Sequence, residues 1–246
     1  MKIIVALWDA DHSLLLGEAL RDELRAAGAT RLQVNVDDEH IPDGALRLQA
    51  FDAPLDSLVS IWTDGSPDDA LGVLRRTHQR LAAWQVEERL PLIAPAVPDG
   101  RRTDALAQVA FLRRPADLAY DDWRAHWQGP HTRIAIETQA TFGYVQNRVT
   151  GTLTGGQPGD TPPVDAIVEE LFPSSAMHDI HAFYGSDGDQ AELDRRMTRL
   201  MESVSTMGAD RDLDLVPTSR YVFGLQASAA GGAVPEQGGE SERATR

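Results

Sequence analysis

The sequence contains no cysteine. That absence excludes disulfide staples, thiolate metal sites, iron–sulfur clusters and a cysteine nucleophile, and it gives no sign of an oxidising compartment. Long apolar runs are missing as well. The opening stretch from Met1 to Leu16 is interrupted by Asp9, Asp11 and His12, too early for a secretory signal. No run approaches the ~18 apolar residues of a membrane span. The expectation is a soluble, cytoplasmic protein that does not enter a membrane. Basic residues are scarce: 23 Lys and Arg stand against 38 Asp and Glu, for a formal net charge of −15. A surface of that sign repels phosphate backbones, so no nucleic-acid partner is expected. The acidic residues are dispersed along the chain, which reads as a solubility device rather than an interaction tail. There is also no Gly-rich phosphate loop, no Gly-x-Ser-x-Gly elbow and no His-Glu-x-x-His pair.

What is present suffices for a sizeable core: 246 residues, 42% of them hydrophobic. Lys2 to Trp8 (KIIVALW) reads as a buried strand. Ser13 to Ala27 carries Leu15, Leu16, Ala19, Leu20 and Leu24 at helical spacing, with Gly28 as its C′ stop. Arg31 to Asn35 and Leu55 to Trp62 read as strands, Pro67 to Glu87 as a helix, and Leu90 to Ile93 as a closing strand. The order is βαββαβ, the ferredoxin-like unit. Residues 96–103 form a Pro/Gly/Arg-rich linker, and the order then repeats. Strands are expected at Leu106–Leu112, Gly143–Val149, Val164–Leu171 and Ser219–Phe223, and helices at Tyr120–Thr138 and Ala191–Met207.

The segments LDSLVSIW from Leu55 and VDAIVEEL from Val164 match in pattern, and each falls at the third strand of its half. The expected domains are a repeat over 1–95 without a site motif, the linker, a second repeat over 104–226, and a disordered tail over 227–246. Two half-covered sheets must bury their open faces. The fold class is therefore α+β, two ferredoxin-like βαββαβ repeats packed sheet to sheet as an intrachain pseudo-dimer with a cavity between them. A monomer suffices for this plan, and a homodimer through the outer helices is the alternative. Thr150 to Pro163 reads as a lid or a plain mobile connection.

One segment stands out: Arg113-Arg114-Pro115, then Tyr120-Asp121-Asp122-Trp123-Arg124-Ala125-His126-Trp127-Gln128-Gly129-Pro130-His131. Trp123, Trp127 and His131 share a helix face if the helix continues. Pro130 opposes that, because its ring clashes with the carbonyl of His126. A kink at Gly129-Pro130 would bring the imidazoles of His126 and His131 toward a cavity. His126 is the leading candidate for proton transfer near neutral pH, with His131 second; capping of the broken helix is the alternative for both. Trp123 and Trp127 would wall an apolar pocket or simply fill the core. Glu169 and Glu170 are strand neighbours facing opposite ways, so one of them points inward. Glu169 is taken as the carboxylate that could share a proton with a histidine. Arg113 and Arg114 would clamp a substrate carboxylate or lie exposed. His178 and His181 lack further ligands, and no metal site is expected.

These residues resemble the EthD family: a strand ending in basic residues and proline, then Trp-x-x-His-Trp-x-x-x-His. Gly143-Tyr144-Val145-Gln146-Asn147 and Asp165 to Phe172 resemble its second and third strands, and Phe183-Tyr184-Gly185 falls near a family aromatic. The resemblance spans residues 105–224; Arg21 to Ala27, the corresponding place in the first half, has neither His nor Trp. It implies the dimeric α+β-barrel fold. Members include an accessory protein of ether-degrading oxygenase systems and fungal polyketide decarboxylases, and the fold is shared with polyketide cyclases, muconolactone isomerases and haem-binding barrels. The expected partner is a hydrophobic, aromatic or polyketide-like small molecule, with Tyr144 joining Trp123, Trp127 and Arg113 as substrate-binding residues. The expected activity is cofactor-independent acid/base chemistry: decarboxylation, isomerisation or cyclisation. The alternatives are a non-catalytic binding or accessory protein and, third, a haem-binding or oxidoreductase barrel.

Overall fold

The computed structural model describes residues 1–154 and 163–226. Eight strands form one closed antiparallel barrel: β1 (Lys2–Leu7), β2 (Ala29–Val36), β3 (Ser57–Thr63), β4 (Leu81–Leu92), β5 (Leu106–Leu112), β6 (Gly143–Thr152), β7 (Ala166–Phe172) and β8 (Asp214–Gly224). Around the barrel the order is β1-β3-β2-β8-β5-β7-β6-β4. Each half therefore contributes the ferredoxin-like order, β4-β1-β3-β2 and β8-β5-β7-β6. The halves close on one another through β2–β8 and β4–β6. LDSLVSIW and VDAIVEEL supply β3 and β7, the third strands of their halves, with the strand beginning two residues into each segment.

Strand alternation sorts side chains between the lumen and an outer helical layer. In β1, Ile4 and Ala6 face the lumen while Ile3, Val5 and Leu7 face the helices, so both faces are buried and the run from Ile3 to Leu7 is uniformly apolar. The first-half layer contains α1 (His12–Leu15), α2 (Glu18–Ala26) and α3 (Pro67–Arg75). The second-half layer contains α4 (Tyr120–His126), a π-helical turn (Trp127–His131), α5 (Thr132–Thr138), a short 3₁₀ turn (Ser174–Met177), α6 (Ile180–Tyr184) and α7 (Gln190–Thr206). Among the described residues, no helix is long and apolar enough to cross a membrane.

Some boundaries differ from the sequence reading. The helix expected over Ser13–Ala27 is split at Gly17, although Gly28 follows the C-cap with φ +86° as a C′ stop should. The helix expected over Pro67–Glu87 ends at Arg75. His78 Nδ1 and Thr77 Oγ1 lie against the carbonyl of Leu74, and the chain then turns into β4. The Leu81–Val86 stretch has helix-forming residues, yet its alternate side chains Ala82, Trp84 and Val86 fill the lumen and its backbone pairs with β1. Tertiary pairing overrides local propensity there. The final strand starts at Asp214, five residues before Ser219.

Two connections matter for the sites. Residues 37–56, between β2 and β3, cross one end of the barrel. Phe51 and Leu55 plug the lumen against Trp8, Trp84 and Phe111, and Leu48 exchanges backbone hydrogen bonds with Leu215. The linker runs along β8, with Gly100 N donating to Val222 O and Thr103 N donating to Arg220 O. Thr150–Thr152 belong to β6, whereas residues 155–162 of the expected loop and the expected tail over 227–246 lie outside the described residues.

Candidate functional site

The second half encloses a cavity of about 300 Å³ between the outer face of its sheet and its helices. The sheet supplies Gln108, Val168, Glu170 and Phe172; α6 supplies Phe183 and Tyr184; α7 supplies Leu200 and Val204. Leu46 and Leu48, from the 37–56 crossing of the first half, complete the wall. The lining is mostly apolar, with a polar row at its base. Gln108 and Tyr144 are the cross-strand neighbours of Glu170 on β5 and β6, so three polar side chains lie side by side on the helical face.

Glu170 is the unusual member. Its Oε2 is enclosed and has no hydrogen-bond partner among the described residues. Burial alone raises its pKa to about 8, so it carries a proton at neutral pH. Its charge, when present, lies near enough to Tyr144 and Tyr184 to reinforce the effect of burial, which raises both phenol pKa values. Gln108 donates from Nε2 to the Leu46 carbonyl at 2.9 Å, leaving its own Oε1 enclosed and unpaired. Trp123 Nε1, Trp127 Nε1 and Gln146 Oε1 are also unpaired in this layer. Buried polar atoms without a protein partner are uncommon, and each calls for a water, a ligand or strain to account for it.

The two histidines converge on one atom. His126 Nε2 lies 3.1 Å and His131 Nδ1 3.1 Å from Ser203 Oγ on α7, and His126 Nε2 lies 3.3 Å from the Ser203 carbonyl. A consistent assignment has His126 donating toward Ser203 and the Ser203 hydroxyl donating to His131. Burial, then the neighbouring His126, lowers the pKa of His131 to about 4, which keeps it neutral and able to accept. Neither histidine lines the cavity. The π-helical turn makes this geometry. Pro130 is accommodated inside the turn, while the Thr132 hydroxyl donates to the Trp127 carbonyl at 2.7 Å and accepts from Gln146 Nε2 at 2.7 Å. Trp123 and Trp127 stack with ring centroids 5.4 Å apart, fully buried beneath the helix.

The remaining residues singled out from sequence go elsewhere. Glu169 faces the barrel lumen, on the other side of the sheet from the histidines, and accepts from Gln33 Nε2 and Asn35 Nδ2 at 2.9 and 2.8 Å. Period-two alternation in β7 forces the split, and the carboxyl in the helical layer is that of Glu170. Arg113 is not exposed, and its guanidinium is committed to neighbours outside the cavity. It is 8% exposed, pairs with Asp214 Oδ2 at 2.6 Å and donates to the Asp212 carbonyl. Asp214 in turn accepts from the Ala50 and Phe51 amides, so the pair ties down the 37–56 crossing. Arg114 closes its own turn through the Pro115 and Leu118 carbonyls. Tyr144 does face the helical layer.

Gln108 and Ser203 were not singled out from the sequence. Each carries a faint signal: Gln108 interrupts the apolar run LAQVAFL, and Ser203 sits one turn from Leu200 on the buried stripe of α7. The Leu46–Leu48 wall leaves none, since it depends on a long-range crossing. His126 and His131 are turned to Ser203, so neither imidazole presents a nitrogen to this cavity as an axial ligand of haem would require of a histidine.

Comparison of the sequence with protein-family models and with curated proteins finds no match. Solved structures resemble this chain. An anthrone oxidase-like protein is 12% identical, with 94% of this chain and 95% of its own covered, at a TM-score of 0.51. A protein of Lactobacillus acidophilus NCFM provisionally assigned as a monooxygenase is 10% identical over 91% of this chain and 95% of its own, at 0.48. A similarly assigned protein of Fusobacterium nucleatum is 8% identical over 90% and 91%, at 0.43. At such identities the likeness concerns the fold: this chain is a dimeric α+β barrel whose two sheets lie on one polypeptide.

Proposed function

We propose that the second-half cavity binds a hydrophobic, hydroxylated aromatic small molecule and that Glu170 transfers a proton to or from it. The observation that carries this reading is the unpaired Glu170 carboxyl, with its pKa near 8, at the base of an apolar cavity. A proton-transfer group is most effective when its pKa lies close to the working pH. Protonated, Glu170 can donate to a ligand carbonyl; ionised, it can remove a proton from a carbon activated by that carbonyl. The unpaired Gln108 Oε1 accepts from a ligand hydroxyl. Tyr144 and Tyr184 stay un-ionised, and Tyr184, on the cavity wall, supplies a further donor. His126 and His131 act on α7 through Ser203 and so position the Leu200–Val204 wall, as residues that shape the site without touching the ligand.

The EthD resemblance of the Trp/His segment supports enolisation-type chemistry, of which decarboxylation, isomerisation and cyclisation are outcomes. A second reading is favoured by the anthrone oxidase-like protein of the same fold. The same first step, removal of a proton from a carbon conjugated through the ring to an aromatic ketone, yields a carbanion that can react with oxygen. Anthrone itself tests both. In deuterated buffer the protein should accelerate exchange of the anthrone methylene protons, followed by mass spectrometry. Glu170→Gln should lower that acceleration by about 10²–10⁴-fold. Equal exchange by wild type and variant would remove Glu170 from the chemistry. Oxygen uptake in the same vessel separates oxidation from simple enolisation.

A further inference from the structure

The barrel has a second cavity, on the other side of β7, at the open end of the lumen. Its volume is about 280 Å³, and the chain from Leu90 through Val97 forms its rim. The opposite end of the lumen is plugged by Trp8, Phe51, Trp84 and Phe111, so this cavity is a blind pocket with one mouth. We propose that it is a binding site for a small organic carboxylate, whose anionic group is held between the guanidinium groups of Arg31 and Arg220.

The argument rests on which charges are already satisfied. Lys2 is 6% exposed; its Nζ donates to Glu88 Oε1 at 2.6 Å and to Asn147 Oδ1 at 2.7 Å. The other Glu88 oxygen accepts from Trp62 Nε1 at 3.1 Å. Glu169 is held by Gln33 and Asn35, and Arg220 Nε lies 3.5 Å from its Oε1. The two carboxylates are thus committed to neighbours. The two arginines keep unpaired N–H groups. Arg220, 9% exposed, uses only Nε, which donates to Gln33 Oε1 at 3.0 Å; its two terminal nitrogens have no acceptor among the described residues. Arg31 has no acceptor there for any guanidinium nitrogen, and its head rests 4.2 Å above the Trp62 ring.

Three cations therefore line this mouth against two carboxylates, in a chain whose net charge is −15. Partial burial, then the like charge of Arg220, lowers the pKa of Arg31, so the pair is held together against its own repulsion. Planar guanidinium forks with free N–H groups match the two oxygens of a carboxylate. Beside them, Leu92, Val145 and Val222 offer an apolar wall for the rest of the molecule. The volume lies at the small end of ligand cavities, which fits a single-ring or short-chain acid. Glu169, at the floor, sets the length limit by repelling a second anionic group.

The test is calorimetric titration of the full chain with benzoate, with benzyl alcohol as the neutral isostere and inorganic phosphate as the rival oxyanion. Benzoate should bind and benzyl alcohol should not. Arg31→Gln, a change at the solvent-facing rim, should weaken benzoate by about tenfold or more, the equivalent of one lost charge-assisted contact. Arg220→Lys, which keeps the charge but loses the fork, should weaken it similarly, with circular dichroism checking both folds. If Arg220→Lys does not fold, Arg31→Gln decides alone. Glu170→Gln alters only the cavity outside the barrel and should leave benzoate binding unchanged. No benzoate heat up to ~10 mM, a concentration at which even weak sites fill, overturns the proposal. So does binding that survives Arg31→Gln, binding that disappears with Glu170→Gln, or preference for phosphate over benzoate.

Discussion

Glu169 and Glu170 differ by one residue and face different worlds. Glu169 is satisfied in a polar lumen, and Glu170 is enclosed in an apolar layer. The sequence dictates that adjacent strand residues part, but not which goes where. The answer comes from the hydrophobic face of β7, where Ala166, Val168 and Phe172 join the helical core and carry Glu170 with them. This burial has a measurable cost. Below the unfolded carboxyl pKa of about 4.3 the group is protonated in both states and contributes no pH dependence. Between there and the folded value of about 8, the unfolded chain releases a proton that the folded chain keeps, so stability falls as pH rises. Glu170→Gln should remove this slope. Urea unfolding should show it more stable than wild type at pH 8, by on the order of 4–5 kcal/mol, with little difference at pH 4. Parallel stability profiles from pH 4 to 8 would show that Glu170 ionises freely in the fold.

Among the elements, the π-helical turn decides the site's shape. A proline inside a helix removes one backbone donor and clashes one turn back. Here the chain widens by one residue instead of breaking, and π turns of this kind recur at functional sites. The Thr132 hydroxyl donates to the Trp127 carbonyl inside the widened turn, and Gln146 on β6 fixes that hydroxyl. Thr132→Val keeps the shape and removes the hydroxyl. It should lower stability by about 1–3 kcal/mol, because both the Trp127 carbonyl and Gln146 Nε2 lose their partner. Urea titration checks this; an unchanged midpoint would mean water replaces the hydroxyl at no cost. The β4 element teaches the opposite lesson. Its first half has helical composition and becomes a strand because β1 and β6 flank it in register.

At the scale of the whole molecule, the closure of the barrel ties the halves together. Separated, each half would expose two long strand edges, β2 and β4 in one and β6 and β8 in the other. Open edges of that length template association. The first half also provides Leu46 and Leu48 to the second-half cavity, held there by the Arg113–Asp214 pair. Residues 1–97 and 104–226 expressed separately should therefore fail to form monodisperse monomers, as light scattering after gel filtration would report. Mixed together, they should recover the full-length circular dichroism. Stable monomeric halves would show that the interhalf ladders add little.

Much of this protein was legible from composition and periodicity. The βαββαβ order of each half, the pairing of two such units and the single Trp/His segment follow from hydrophobic alternation, helical spacing, Gly28 and the Gly129-Pro130 step, all local properties of the chain. The resemblance of that segment to a known family pointed to the half that holds the cavity beneath the helices. What only the tertiary structure decided is where side chains of similar sequence appearance end up. His126 and His131 meet at Ser203, 72 or more residues away in sequence, rather than in a cavity. Arg113 anchors a crossing loop, and Glu170 rather than Glu169 lies beneath the helices. The barrel mouth gathers Arg31, Arg220 and Lys2 from three strands. The physical reason is common to all of these: strand register and barrel closure fix the face a residue presents and the distant partners it meets, and neither is encoded within a local window of sequence.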